Sequence, residues 1–187
     1  MYYIIILGIV SKLGLHLELG IYQNKLNYFL LFLLFVSVLN IFNQLYLGDS
    51  GAYVLGFITS VILISIYKIN IQISPFFIIL LLWYPCFENL FSIIRKFKIK
   101  RSPILADNKH LHQLLFNFLQ SKIKCKKIYL NNLTSLIILS YNSIIFLLAI
   151  KNIYNTQYQI ILILCNILIY TFFYLRLFNY FFKINSK

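Results

Sequence analysis

Apolar runs close to twenty residues long recur through this chain with little to interrupt them, and no other feature narrows its folding options as much. A hydrocarbon core about 30 Å thick is crossed by roughly 20 mostly apolar residues of helix. Leu26–Leu47, Ala52–Tyr67, Pro75–Ile94 and Thr134–Ile150 meet or approach that length, and a fifth run extends from Tyr158 to about Phe178. Hydrophobic residues make up 61% of the 187 and charged residues 11%, a balance that excludes a soluble domain. Backbone amides in lipid must be satisfied within the segment, so the runs are expected to be helical. They are continuously apolar rather than alternating, which argues against a β-barrel. Met1–Val10 is apolar but short, without a basic start or a small-residue cleavage site, and reads as a partial or tilted helix. The expected fold is all-α, a polytopic membrane helical bundle of about five or six transmembrane helices, treated as one membrane domain over residues 1–187.

The net charge of +13 follows the membrane topology. Arg95, Lys96, Lys98, Lys100, Arg101, Lys109, Lys122, Lys124, Lys126 and Lys127 all fall in one loop, 95–132, and Arg176, Lys183 and Lys187 lie near or after the end of the last run. Placing that loop in the cytoplasm obeys the positive-inside rule, with Lys25, Lys68 and Lys151 outside. This distribution accounts for the charge without nucleic-acid binding. Two spans separate Asp49 from the loop, so Asp49, Arg95, Arg101, Asp107, His110 and His112 are all expected at the cytoplasmic face. Cys86, Cys125 and Cys165 are odd in number and far apart, which suggests neither a disulfide framework nor a zinc site.

Only four residues are acidic: Glu18, Asp49, Glu88 and Asp107. Asp49 sits in Gly48-Asp49-Ser50-Gly51, at the junction of two apolar runs. A turn with the aspartate bonded to local backbone would suffice to join two spans. Glycines also let a ligand approach the backbone, and a helix starting at about Ser50 would aim free amides at an anion. In phosphate-handling sites Mg²⁺ often takes only one or two carboxylates, with phosphates and water supplying the rest.

Asp107-Asn108-Lys109-His110-Leu111-His112 is the second candidate. Histidines two apart share a side of an extended chain but lie on nearly opposite sides of a helix. Asp107 suits a helix N-cap, with Asn108 starting the turn. In the short amphipathic helix that follows, His112, Leu115, Phe116 and Leu119 are expected to share one side. A capped interfacial helix with two histidines facing headgroups accounts for the spacing as well as a binding site does.

Two ordered blocks carry a resemblance. Leu47-Gly48-Asp49-Ser50-Gly51-Ala52 with Leu55-Gly56-Phe57, and then Pro85-Cys86-Phe87-Glu88, Ile94-Arg95-Lys96, Arg101-Ser102-Pro103 and 107–112, resemble the signatures of the polyprenyl-phosphate N-acetylhexosamine-1-phosphate transferases. The match covers about residues 30–120, and the later spans by hydropathy alone. The resemblance implies a multi-spanning, Mg²⁺-dependent enzyme of the cytoplasmic (inner) membrane. Such an enzyme transfers a sugar 1-phosphate, such as N-acetylglucosamine 1-phosphate, from a UDP-sugar to undecaprenyl phosphate, and so initiates envelope polysaccharide synthesis. It also implies a catalytic, metal-linked role for Asp49, and binding of the nucleotide-sugar phosphates by His110 and His112. Arg95 and Arg101 fall in the adjoining basic stretch, where they could neutralise phosphate.

The chain departs from the family pattern at Gln113, where the last motif histidine belongs, and at Glu88, where the family has an intramembrane aspartate. The family's upstream acidic motifs have no counterpart before Asp49, where Glu18 is the only acid. The expectation is therefore the carboxyl-terminal half of such an enzyme, truncated or split and partnered by a separate N-terminal-half polypeptide as well as by membrane lipids. A catalytically inactive scaffold or assembly subunit that keeps the fold is the second reading. A small unrelated transporter is the third, and polar groups at mid-depth in the spans would mark it.

Overall fold

A computed structural model describes residues 2–14, 21–42, 44–45, 48–98, 100, 102 and 109–185. Among these residues the chain is all-α, with helices α1 (Tyr2–Gly14), α2 (Ile21–Ile41), α3 (Gly48–Ile69), α4 (Pro75–Lys98), α5 (Leu111–Lys122), α6 (Lys127–Ile150) and α7 (Thr156–Asn185). Among the described residues four helical segments are long and apolar enough to cross a membrane: Ser50–Ile69, Pro75–Lys98, Lys127–Ile150 and Thr156–Phe181. Tyr2–Ser11 and Leu26–Ile41 are shorter apolar helical segments. The chain is a multi-pass helical membrane protein by this architecture.

Helix boundaries follow local chemistry. The expected span Leu26–Leu47 stops early, with α2 ending at Ile41. There Asn40 Nδ2 donates to Leu45 O at 3.0 Å and the Gln44 amide turns back to Leu39 O at 2.9 Å, so the helix closes into a turn. Four spans run longer than their apolar cores, α3 from Gly48, α4 to Lys98, α6 from Lys127 and α7 from Thr156 to Asn185, because polar residues at a membrane surface continue a helix without having to enter lipid. Gly48 has φ +66°, a left-handed conformation that glycine adopts without strain, so the first motif glycine shapes the entry into α3. Hydroxyls inside the spans bond their own helix. Thr59, Ser60, Ser65, Thr134, Ser140 and Ser143 each donate to the carbonyl four residues earlier, which satisfies them without another helix.

The chain divides into two compact units, Met1–Ile78 and Ile79–Lys187, with the boundary one turn into α4. In the first unit α1 packs on α2 and α3. Ile6, Leu7 and Val10 supply its buried side, and Thr59, Leu63 and Ile66 form a buried stripe on α3 at helical spacing. Gly56 extends that stripe by one turn. A Cβ there would come within 3.1 Å of the Tyr3 hydroxyl, so the third motif glycine lets α1 and α3 approach closely.

In the second unit α5 packs on both α6 and α7. Its buried residues are Leu114 and Leu119, while His112 is exposed. His112, Leu115, Phe116 and Leu119 share one side of α5, on which Leu119 is buried and His112 exposed. Helix α5 starts three residues later than a start at Asn108. On α7, Gln159, Asn166, Tyr170 and Tyr174 are all buried on one face. Side-chain hydrogen bonds across helices pair part of this seam, with Tyr141 donating to Asn166 Oδ1 at 2.6 Å, while among the described residues Gln159 Oε1 and Asn166 Nδ2 are buried without a hydrogen-bond partner; between α4 and α6, Trp83 Nε1 donates to Asn142 Oδ1 at 3.2 Å.

The native cysteines test this membrane arrangement. Cys125 lies in the exposed, lysine-flanked link between α5 and α6, whereas Cys86 and Cys165 lie within spans. A membrane-impermeant maleimide is expected to label Cys125 from one side of sealed vesicles and to leave Cys86 and Cys165 unlabelled until detergent is added. Labelling of Cys86 or Cys165 in intact vesicles would contradict the assignment of α4 and α7 as lipid-embedded.

Candidate functional site

The second unit holds a compact polar centre where α4 and α7 clamp the segment that enters α5. Glu88, Ser92 and Arg95 recur along one face of α4 at helical spacing, and Tyr170 and Tyr174 do the same on α7. Lys109, His110 and Leu111 lie between them. Glu88 Oε1 accepts the Leu111 backbone N–H at 2.7 Å and meets His110 Nδ1 at 3.2 Å, and Glu88 Oε2 accepts the Tyr170 hydroxyl at 2.9 Å. Two turns along α4, Arg95 Nη1 donates to Lys109 O at 2.6 Å and bonds the Tyr174 hydroxyl, with its guanidinium 5.5 Å from the centre of the Tyr174 ring. Tyr174 itself donates to Lys109 O at 3.1 Å. Two opposite charges on one helix thus fix three consecutive residues of the connecting segment.

Electrostatics supports the arrangement. The Glu88 carboxylate sits at the positive end of the α5 dipole and caps its first amide. Arg95 lies in the last turn of α4, where a cation complements exposed carbonyls. His110 is the residue before α5, with extended backbone at φ −70° and ψ 152°, and its amide donates to Gln113 Oε1 at 3.2 Å. The N-cap is therefore His110, with Gln113 closing half of a capping box. Asp107 and Asn108, expected to cap and start this helix, fall outside the described residues.

Because His110 is extended and His112 is in the first turn, the two imidazoles meet rather than diverge. Their centroids are 5.6 Å apart and their planes differ by 14°. Stacking removes water from one side of the His112 ring. That desolvation holds its pKa below 6.5, with the Glu88 charge opposing the shift and the His110 charge adding to it. His112 is accordingly neutral at pH 7. A histidine whose folded pKa is depressed stabilises the fold fully above its unfolded pKa, and that contribution is lost as pH falls from 6.5 toward the folded value. Acidification through this range is expected to lower the thermal midpoint of the second unit, and His112→Gln is expected to remove that part of the pH dependence. A variant with an unchanged pH profile would contradict it.

Of the residues singled out in the sequence, the structure brings together Arg95, His110 and His112. Asp49 is in the first turn of α3, in the first unit, and its side chain is outside the described residues, as is Arg101 altogether. Glu88, which is not among the candidate site residues of the sequence, is the hub. The signal was present, since a carboxylate within an apolar span requires a partner.

The described donors do not suit a divalent cation on their own. Among the described residues no group of three or more His, Cys, Asp or Glu side chains is placed to hold a metal ion. Both Glu88 oxygens are already occupied by protein donors. What the arrangement can do is present an imidazole pair, backed by a buried carboxylate, in a unit rich in Lys and Arg. The chain matches no family model, no curated protein and no solved structure.

Proposed function

We propose that the chain carries the nucleotide-sugar side of a membrane sugar-1-phosphate transferase, acting in the cytoplasmic membrane and working with a second polypeptide. The observation that carries this reading is the clamped, stacked His110–His112 pair, which stands in the second of two ordered sequence blocks resembling the family. In the proposed reaction a phosphate oxygen of undecaprenyl phosphate attacks the sugar-bearing phosphorus of a UDP-sugar. The bond to the bridging oxygen breaks and UMP leaves with the electron pair. His110 and His112 would contact the nucleotide-sugar phosphates, and Arg101 would offset their charge. Arg95 is committed to Lys109 and Tyr174, so its part in this reading is chiefly to hold the histidine segment in place.

Phosphoryl transfer depends mainly on positioning and charge neutralisation, which such a site can supply. Mg²⁺, which the resemblance implies, would have Asp49 as its one ligand from this chain. The described donors do not complete a cation site, and in this reading acidic groups of the second polypeptide supply further ligands.

The same shortage of acids favours a second reading, a non-catalytic scaffold that keeps the fold. The two are separated by measuring UMP release on undecaprenyl phosphate, using the purified chain alone and the chain co-expressed with a polypeptide carrying the absent acidic motifs. The transferase reading expects little or no turnover alone and clear turnover together. Asp49→Asn should then reduce turnover about 10²-fold or more, whereas Cys125→Ser should leave it unchanged. No turnover from the pair supports the scaffold, and full activity of Asp49→Asn removes Asp49 from the mechanism.

A further inference from the structure

The hydrogen-bond pattern around Glu88 bears on which edge of His110 is available to a ligand. A neutral imidazole has one donor nitrogen and one acceptor nitrogen, and an ionised carboxylate only accepts. Glu88 Oε1 already receives the Leu111 amide at 2.7 Å, and the same oxygen faces His110 Nδ1 at 3.2 Å. The carboxylate cannot easily turn away. Its other oxygen is held by Tyr170 at 2.9 Å, and the residue is 7% exposed. His110 is also fixed in tilt by its stack on His112 and in backbone by Gln113. Its side chain remains 23% exposed.

We infer that Glu88 is a positioning residue that holds His110 in the Nδ1–H form, leaving Nε2 as the nitrogen offered to a phosphate-bearing ligand. The arrangement parallels the general rule that the partner of one imidazole nitrogen sets the state of the other. The tautomer follows from the geometry alone, and its use toward phosphate rests on the function proposed above. Charged and titratable groups around the ring are Glu88 and Arg95 on α4, Tyr170 and Tyr174 on α7, and Lys109 and His112 beside it in the chain.

The chain has three histidines, so selective ¹⁵N-histidine labelling of the full protein in micelles gives a readable spectrum. Single variants of His16 and His112 assign the resonances. Above pH 7.5, wild type and Tyr170→Phe are expected to show His110 with Nδ1 protonated and Nε2 bare. Glu88→Gln keeps an acceptor oxygen toward Nδ1 and should retain the Nδ1–H form, whereas Glu88→Leu removes the acceptor and should shift His110 toward the Nε2–H form. A wild-type His110 in the Nε2–H form, or a Glu88→Leu protein with His110 still in the Nδ1–H form, overturns the positioning role.

Adding UDP as the probe should move the His110 Nε2 resonance in wild type and move it less in Glu88→Leu. An unmoved Nε2 in wild type overturns the ligand assignment. Absence of UMP release from the two-polypeptide assay, with the Nδ1–H form still observed, counts against the transferase reading and leaves the tautomer intact.

Discussion

Glu88→Ala is expected to destabilise the second unit by about 3–5 kcal/mol, because it removes a buried acceptor that serves three donors. Three donors lose their acceptor at once: the Leu111 amide, His110 Nδ1 and the Tyr170 hydroxyl. Each buried donor left unsatisfied costs about 1–3 kcal/mol, and the three do not add fully because alanine leaves room for partial relaxation. Tyr170→Phe removes only one of these bonds and leaves the carboxylate with two donors, so it should cost about 1 kcal/mol. Thermal or denaturant unfolding in a mild detergent checks both values and their order. A Glu88→Ala protein as stable as wild type would mean that the carboxylate does not anchor α5.

Arg95→Ala should release the segment entering α5 rather than unfold the unit. Hydrogen bonds to charged groups contribute about 1.5–3 kcal/mol, and the guanidinium makes one to Lys109 O, another to Tyr174 and a cation–π contact with the same ring. Lys109 O retains the Tyr174 hydroxyl, which limits the damage to about 2–3 kcal/mol. The loss is expected to be local, as faster amide exchange along 111–122 with α6 and α7 still protected. Arg95→Lys should recover less than half, because an ammonium is a point charge without the planar fork that meets two acceptors and stacks on tyrosine. Complete rescue by lysine would reduce the role of Arg95 to net charge.

The apolar runs made the helical membrane architecture legible from the sequence, because lipid leaves the backbone few alternatives. The helix ends were less legible. Leu45 is apolar and looks like a continuation of α2, but the Asn40 side chain claims its carbonyl and the helix stops at Ile41. Lys127 looks like loop, yet it begins α6, since a lysine near a helix end can keep its charge in the headgroups.

The histidine pair was legible as a motif but its geometry was not. Spacing alone allowed either the same or opposite sides, and the outcome depends on a helix starting between the two residues. Glu88 was visible as an acid inside a span, but its partners lie 22, 23 and 82 residues away, beyond any local pattern. Gln113 stands where the family pattern has a histidine, and its side chain bonds the backbone of His110.

The 82-residue separation between Glu88 and Tyr170 also constrains how the protein is made. Synthesis delivers α4 to the translocon well before α7 exists, so the carboxyl group enters the bilayer ahead of the hydroxyl that will meet it. An acidic residue at mid-helix opposes insertion by about 2.5–3.5 kcal/mol on translocon scales, which the surrounding apolar residues of α4 must offset. Insertion of this helix and completion of its polar contacts are thus separate events in time. Nascent chains halted before α7 should hold α4 loosely, and release of the remaining residues should secure it.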